Sequence, residues 1–441
     1  MNKEILRLAL PNIIANITVP LLGMVDMFIA GHLEAKENIA AIGVASTIFN
    51  LIYWNFSFLR MGTSGFTAQA YGANNKSEQV NSLMRALVVA FVAGIIIIIA
   101  QSLILRVGFF FVDAGDTVRY YATAYFSIYI WAAPAILAMY ALTGWYVGMQ
   151  NTRIPMYVAI GINIVNIALS FVFVYGLGMQ IEGVALATLF AQYTGLIISL
   201  IICYKQNRML IKSFDSKILR NIKSYRPFFR VNSNIFIRTL ALVAVTTCFM
   251  SASAFIGDDV LSLNTVMMQF FILFSYMMDG FAYAAEALTG KFVGAGNRQS
   301  LKEVVRKLFI WGGVVVVLFT AVYVLFSGYI FSFLTDKESI ITMFGQYRVW
   351  LFLIPVAGFS AFLWDGIFVG ATASRQMRNS MLVASAAFFI VYAFLYSCLK
   401  QKNELIIVDA NNILWFAFIL YLALRGIVQG FMSKAILNES K

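Results

Sequence analysis

The chain has 441 residues, 61% of them hydrophobic and 12% charged, with a mean hydropathy of +0.82. Soluble proteins carry about twice that share of charge, so a water-soluble globular domain is excluded. The formal charge of +12 would suit a nucleic-acid binder, but the positive residues sit in alternate loops between apolar runs, where topology places them, and that reading is rejected.

Twelve spans are predicted in chain order, near 6–30, 39–65, 82–108, 120–149, 155–177 and 183–205, then 227–254, 260–290, 302–334, 340–370, 378–399 and 411–433. The apolar runs reach the roughly 20 residues that a bilayer crossing requires. Met1 to Arg7 runs straight into a full-length span, so no cleaved leader is expected. Between the halves lies the longest polar stretch, with Lys205, Arg208, Lys212, Lys217, Arg220, Lys223 and Arg226 against one acid, Asp215. Its charge makes it cytoplasmic, and the basic loops at Lys76 and Arg85, Arg153, Lys291 to Lys307, and Arg375 and Arg378 agree. Both termini are then cytoplasmic. Such a linker also offers anionic lipid a docking surface, although setting topology is its simpler role. The expected organisation is an N-terminal six-helix lobe over 1–204, a cytoplasmic basic linker over 205–226 and a C-terminal six-helix lobe over 227–441.

An internal repeat supports two lobes. Gly65-Phe66-Thr67-Ala68-Gln69-Ala70-Tyr71-Gly72-Ala73 aligns 222 positions later with Ala287-Leu288-Thr289-Gly290-Lys291-Phe292-Val293-Gly294-Ala295, and Asn75 with Asn297. The same offset places Pro11-Asn12-Ile13 on Ser233-Asn234-Ile235 and Val147-Gly148 on Val369-Gly370. An even number of spans per copy lets both copies enter from one side. The expected fold is therefore an all-α membrane protein of twelve transmembrane helices in two six-helix lobes, related by pseudo-two-fold symmetry along the membrane normal.

Charges inside the spans are costly, at least ~2.5 kcal/mol each at the bilayer centre if unpaired, and so mark candidate sites. Four acids, Asp26, Asp279, Glu286 and Asp365, and four arginines, Arg60, Arg238, Arg348 and Arg425, fall there. Asp26 shares a helical face with Gly23, Val19, Asn16 and Asn12, and Pro20 weakens the helix before it. Desolvation favours the neutral form of a buried carboxyl, which makes Asp26 a candidate proton-coupling residue; a snorkelling acid near Gly31 and His32 is the plainer alternative. Asn163, Asn166 and Ser170 share a face of span five, with Thr188 and Gln192 on span six; they could bond the Asp26 carboxyl or serve as interhelical glue. In the second half Asp279 and Glu286 share a face with Ser275 and Tyr283. Arg238 is the candidate countercharge for Asp279, and Arg425 for Asp365. This cluster reads as a structural lock or a functional charge set, with Glu286 the best candidate for a second proton site. Met24, Met156, Met267 and Met268 join abundant phenylalanine as material for an adaptable pocket for bulky apolar cations. No phosphate loop or catalytic triad is present around the single His32, and Cys203, Cys248 and Cys398 are dispersed. No enzyme, cofactor or metal site is expected, and the energy must come from an ion gradient or a partner.

Leu8-Ala9-Leu10-Pro11 and Val19-Pro20-Leu21-Leu22-Gly23-Met24-Val25-Asp26 resemble the first helix of MATE (multidrug and toxic compound extrusion) exporters, in their DinF-like branch. Phe58 to Ala70, Asp279 to Leu288 and Asp365 to Thr372 are similar to further signatures of that branch. The resemblance implies a V-shaped pair of six-helix lobes in the cytoplasmic (inner) membrane, working as a monomer among membrane lipids. It implies export of cationic lipophilic compounds against inward proton or sodium flow. It also implies that Asp26 is the coupling acid and that Asn166 and Thr188 belong to its hydrogen-bond network. Many relatives carry a second acid where this chain has Ser170, and its loss favours protons over sodium. A flippase for lipid-linked saccharides, of the same wider superfamily, is the alternative.

Overall fold

The computed structural model describes the backbone of residues 1–31, 37–112, 114–212, 214, 221–335, 337–401 and 407–438; the side chains of 19–24, 26, 27, 30, 31, 111, 222, 400, 401, 407, 408, 435 and 438 lie outside the described residues. His32, and Asp215, Lys217 and Arg220 of the basic linker, therefore also lie outside them.

Long apolar segments become helices because every backbone N–H and C=O in a bilayer must find its partner within the segment. The first half contains α1 (Asn2–Gly31), α2 (Glu37–Asn55), α3 (Phe58–Gly72), α4 (Lys76–Ile99), α5 (Gln101–Phe111), α6 (Asp116–Tyr129), α7 (Ala133–Gly148), α8 (Arg153–Phe171), α9 (Ile181–Gln206) and the short α10 (Arg208–Ile211). The second contains α11 (Arg226–Ile256), α12 (Asp258–Gly294), α13 (Arg298–Leu334), α14 (Glu338–Gly370), α15 (Ser374–Gln401), α16 (Ile407–Met432) and α17 (Lys434–Asn438). No strand occurs among the described residues, and eleven helical segments among them are long and apolar enough to cross a membrane. Their outward faces carry side chains such as Phe110, Ile99 and Phe333, at 83%, 77% and 89% exposure, which only lipid can accommodate in bulk.

Several first-half spans are interrupted. The second divides at Asn55–Phe58, where the amides of Phe56 and Ser57 reach back only three residues, to the carbonyls of Tyr53 and Trp54. The third divides at Ala100. The fourth passes through a tight 3₁₀ turn, Ile130–Ala132, just before Pro134, whose ring nitrogen cannot donate. The fifth ends in a π-turn, Val172–Gly176. The second-half counterparts α12, α13 and α14 are unbroken, at 37, 37 and 33 residues, and α14 absorbs Pro355.

Two compact units emerge, Leu10–Asn232 and Met1–Ala9 with Ser233–Lys441. In the first, α3 and α4 pack on α7, α2 on α6 and α8 on α9, and Phe49 stacks on Phe126 at 4.7 Å within the core. In the second, α12 lies along α14, and α16 packs on both α14 and α15.

Local geometry repeats between the units bond by bond. A Cβ on Gly144 would come within 2.2 Å of the Arg60 carbonyl oxygen, and one on Gly366, 222 positions later, within 2.2 Å of that of Ala282. Gly148 and Gly370 repeat the close approach, to the carbonyls of Ser64 and Glu286. After α3 the amide of Asn75 bonds the Ala70 carbonyl (2.9 Å), and after α12 that of Asn297 bonds the Phe292 carbonyl (3.0 Å). Asn75 and Asn297 then cap α4 and α13 through Glu78 N and Ser300 N, both at 3.0 Å. Left-handed residues also coincide: Asn74 (φ 52°) with Gly296 (φ 66°), and Gln150 (φ 63°) with Thr372 (φ 54°).

Candidate functional site

Among the described residues, polar assemblies lie within the apolar spans of both units. The first is built on α8, α9 and α1. Asn163 donates its amide to the Thr18 carbonyl at 3.2 Å, which seats the polar face of α8 on α1. One turn further, Asn166 Nδ2 donates to Thr188 Oγ1 at 2.8 Å, and the Thr188 hydroxyl donates to the Val184 carbonyl at 3.0 Å. Thr188 has one proton and spends it on Val184, so its oxygen can only accept from Asn166. That fixes the orientation of the Asn166 amide. Its Oδ1 is buried without a hydrogen-bond partner, and so is Ser170 Oγ one turn on. Both residues are fully buried, and an unfilled acceptor in such a place is costly unless a donor visits it. The π-turn begins two residues after Ser170, a departure from α-helix that often accompanies function. On α1, Asn12 is buried and Asn16 half-buried, and both are engaged in interactions. The Asp26 side chain lies outside the described residues; its backbone belongs to the last third of α1.

The second assembly centres on Asp365 of α14. Its Oδ2 contacts the guanidinium groups of both Arg238 on α11 and Arg425 on α16, and its Oδ1 accepts from Gln429 Nε2 at 2.6 Å. All four residues are buried. The Arg425 guanidinium also lies 5.4 Å from the centre of the Phe362 ring. Arg238, expected opposite Asp279, is thus placed on Asp365. Asp279 is half-buried. Glu286 is 1% exposed, on the stretch of α12 that Gly370 brings against α14. Arg60 is half-buried, and Arg348 is exposed over the Phe352 ring at 5.8 Å.

Sequence reasoning passed over two parts of this picture. Gln429 follows Arg425 by one helical turn, an i, i+4 polar pair in an apolar helix that marks one face. Asn264 on α12 donates to Ser253 Oγ (2.7 Å) and Asn411 Oδ1 (2.8 Å) and accepts from Trp415 Nε1 (2.8 Å), binding the ends of α11, α12 and α16 together.

The same architecture is found in known proteins. The MatE family profile matches residues 11–172 and again 235–397, once in each half. The chain is 35% identical to DNA damage-inducible protein F of Escherichia coli over 428 residues, 97% of this chain and 90% of that protein. It is 26% identical to Protein DETOXIFICATION 44, chloroplastic, of Arabidopsis thaliana, over 89% of this chain and 77% of that one. The outward-facing structure of a multidrug resistance MATE family transporter of the MOP superfamily superposes with a TM-score of 0.83 at 19% identity, covering 100% of this chain and 97% of that one. With its profile present in both halves and close kinship along nearly its whole length, this chain belongs to the MatE family, whose members are membrane transporters and not enzymes.

Proposed function

We propose that this chain exports lipophilic cations across the cytoplasmic membrane in exchange for protons moving inward, with Asp26 as the proton-carrying residue. Two six-helix lobes, 1–204 and 227–441, joined by the cytoplasmic linker 205–226, rock around the substrate as a monomer with both termini in the cytoplasm. The carrying observation is the oriented pair on α8, where Asn166 Oδ1 is a buried acceptor held in place by Thr188 and Ser170 Oγ stands beside it without a partner. A protonated carboxyl donates to such an acceptor, whereas a carboxylate would set oxygen against oxygen. Asn166 Oδ1 therefore favours the loaded acid, while the Ser170 hydroxyl can bond either form. Ser170 leaves no fixed negative charge on this face, and a hard cation such as sodium prefers several oxygens including carboxylates, which supports protons as the coupling ion. The solved transporter described as a multidrug resistance protein, and relatives described as probable multidrug resistance proteins NorM, support a lipophilic drug-like cargo.

Ethidium export from proteoliposomes under an imposed pH gradient tests the reading. Asp26→Asn is expected to lose proton-driven export by about tenfold or more. Undiminished export by that variant defeats the coupling assignment. Export driven by a sodium gradient at fixed pH defeats the proton preference, and movement of lipid-linked sugar in place of ethidium favours the flippase.

A further inference from the structure

The start of α15 holds a cation in a cage of neutral groups. Arg378 Nη1 donates to Asn234 Oδ1 on α11 at 2.8 Å, and its Nε and Nη2 both donate to Asn379 Oδ1, at 3.1 and 2.8 Å. Asn234 Nδ2 in turn donates to Ser374 Oγ at 3.1 Å. Asn234 and Ser374 are buried and Arg378 is half-buried, all within the unit that contains Ser233–Lys441. Both acceptors of the arginine are uncharged amides, and among the described residues no carboxylate pairs with it. The cage therefore fixes the guanidinium without neutralising it. Three of its five N–H groups are engaged, which leaves one on each terminal nitrogen for an outside acceptor.

The other half shows that the fold does not require this cation. The matching positions, 222 residues earlier, hold Asn12, Thr152 and the buried Met156. The repeat keeps the asparagine and the hydroxyl and adds the arginine on one side alone.

Helical spacing sets what lies beside the guanidinium. Arg375, Leu382, Ala386 and Phe389 recur at i, i+7, i+11 and i+14 on one exposed face of α15, and Arg378 borders it. Leu382 and Phe389 are 43% and 38% exposed, whereas Met377, Met381, Ala384 and Phe388 on the opposite face are each at 0%. The stripe thus runs from two cations at the helix start to apolar side chains inside the span Ser374–Leu399. A phospholipid has the same order of parts, a phosphate head and then an acyl chain, and basic residues at a helix end attract the anionic ones.

We propose that Arg378 and Arg375 hold the phosphate headgroup of an anionic phospholipid whose acyl chain lies along Leu382 and Phe389. Guanidinium groups suit this task because their planar donors meet phosphate oxygens in pairs. The topology proposed above puts the lipid in the cytoplasmic leaflet; the binding itself is independent of that topology, of the cargo and of the coupling ion.

Native mass spectrometry of the full chain in detergent, titrated with phosphatidylglycerol, phosphatidylcholine or glycerol phosphate, is the test. Phosphatidylglycerol is expected to bind about fivefold or more tightly than either of the others. Arg378→Gln is expected to weaken it by about fivefold, while Arg153→Gln, at the first-half match of Arg375, leaves it unchanged. Asn234→Asp keeps an oxygen on the arginine and adds a countercharge, and the Ser374 hydroxyl can donate to the new carboxylate. That variant is expected to keep the parent's unfolding temperature in phosphatidylcholine and to lose phosphatidylglycerol binding as Arg378→Gln does. Equal affinity for the two lipids overturns the proposal, and this comparison needs no variant to fold. Undiminished phosphatidylglycerol binding by a folded Arg378→Gln or Asn234→Asp also overturns it, as does an equal loss in Arg153→Gln, which would indicate diffuse charge attraction. Glycerol phosphate bound as tightly as the lipid would show a site for free phosphate compounds and defeat the lipid assignment.

Discussion

A buried arginine is tolerated only beside a countercharge, and Asp365 serves two of them at once. Asp365→Asn leaves both guanidiniums facing a neutral amide in a dry interior. It is expected to destabilise the detergent-solubilised protein by about 3–5 kcal/mol, read from thermal unfolding. Replacing the triad together, with Asp365→Leu, Arg238→Met and Arg425→Met, is expected to cost less than that single change, because no charge is stranded. A triple variant as unstable as Asp365→Asn would show that packing, and not charge, dominates the site. Much of this residue-level picture was visible beforehand. An acid or asparagine in an apolar run is conspicuous, and helical spacing puts Asn163, Asn166 and Ser170 on one face without any coordinates. Arg425 meets Asp365, 60 positions away, as its sequence pairing predicts, whereas Arg238, 127 positions away, meets Asp365 and not Asp279, and only the packing of three helices decides that.

Helices bring those residues together through glycine. Gly144 and Gly366 let α7 and α14 approach the backbones of α3 and α12, and each missing Cβ would meet a carbonyl oxygen that cannot swing aside. Gly144→Ala and Gly366→Ala are each expected to cost about 1–3 kcal/mol by overpacking. Gly43→Ala on α2, where a Cβ meets nothing within 4 Å, is expected to be neutral or stabilising in the same unfolding assay. Equal losses at all three would mean that the close approach at Gly144 and Gly366 does not set the cost. Hydropathy located the spans, since burying backbone in lipid demands long apolar runs. It could not reveal that the second and third spans divide at Asn55–Phe58 and Ala100, because those breaks change hydrogen-bond registry without changing polarity. Only at the 3₁₀ turn before Pro134 does a break coincide with a residue that marks it in the sequence, among the described residues.

Across the whole molecule the scaffold is duplicated and its chemistry is not. The first unit holds an uncharged polar face on α8 with unfilled hydrogen-bonding capacity; the second holds a carboxylate whose two oxygens are both occupied. The proposed proton load at Asp26 is tested at this scale by the Asp26→Asn export assay. The repeat was legible because glycine contacts and caps restrict residue choice. The left-handed turns have a different consequence. Asn74 and Gly296 hold one backbone shape with different side chains, as do Gln150 and Thr372. Each half has thus served as a long-running mutagenesis of the other's backbone, and the mismatches show where a better residue is already known to the fold. A β-branched residue at φ 54° is the least comfortable of the four. Thr372→Gly is therefore expected to raise stability by about 1 kcal/mol, while Gly296→Asn, the residue its twin already uses, should leave the unfolding temperature nearly unchanged.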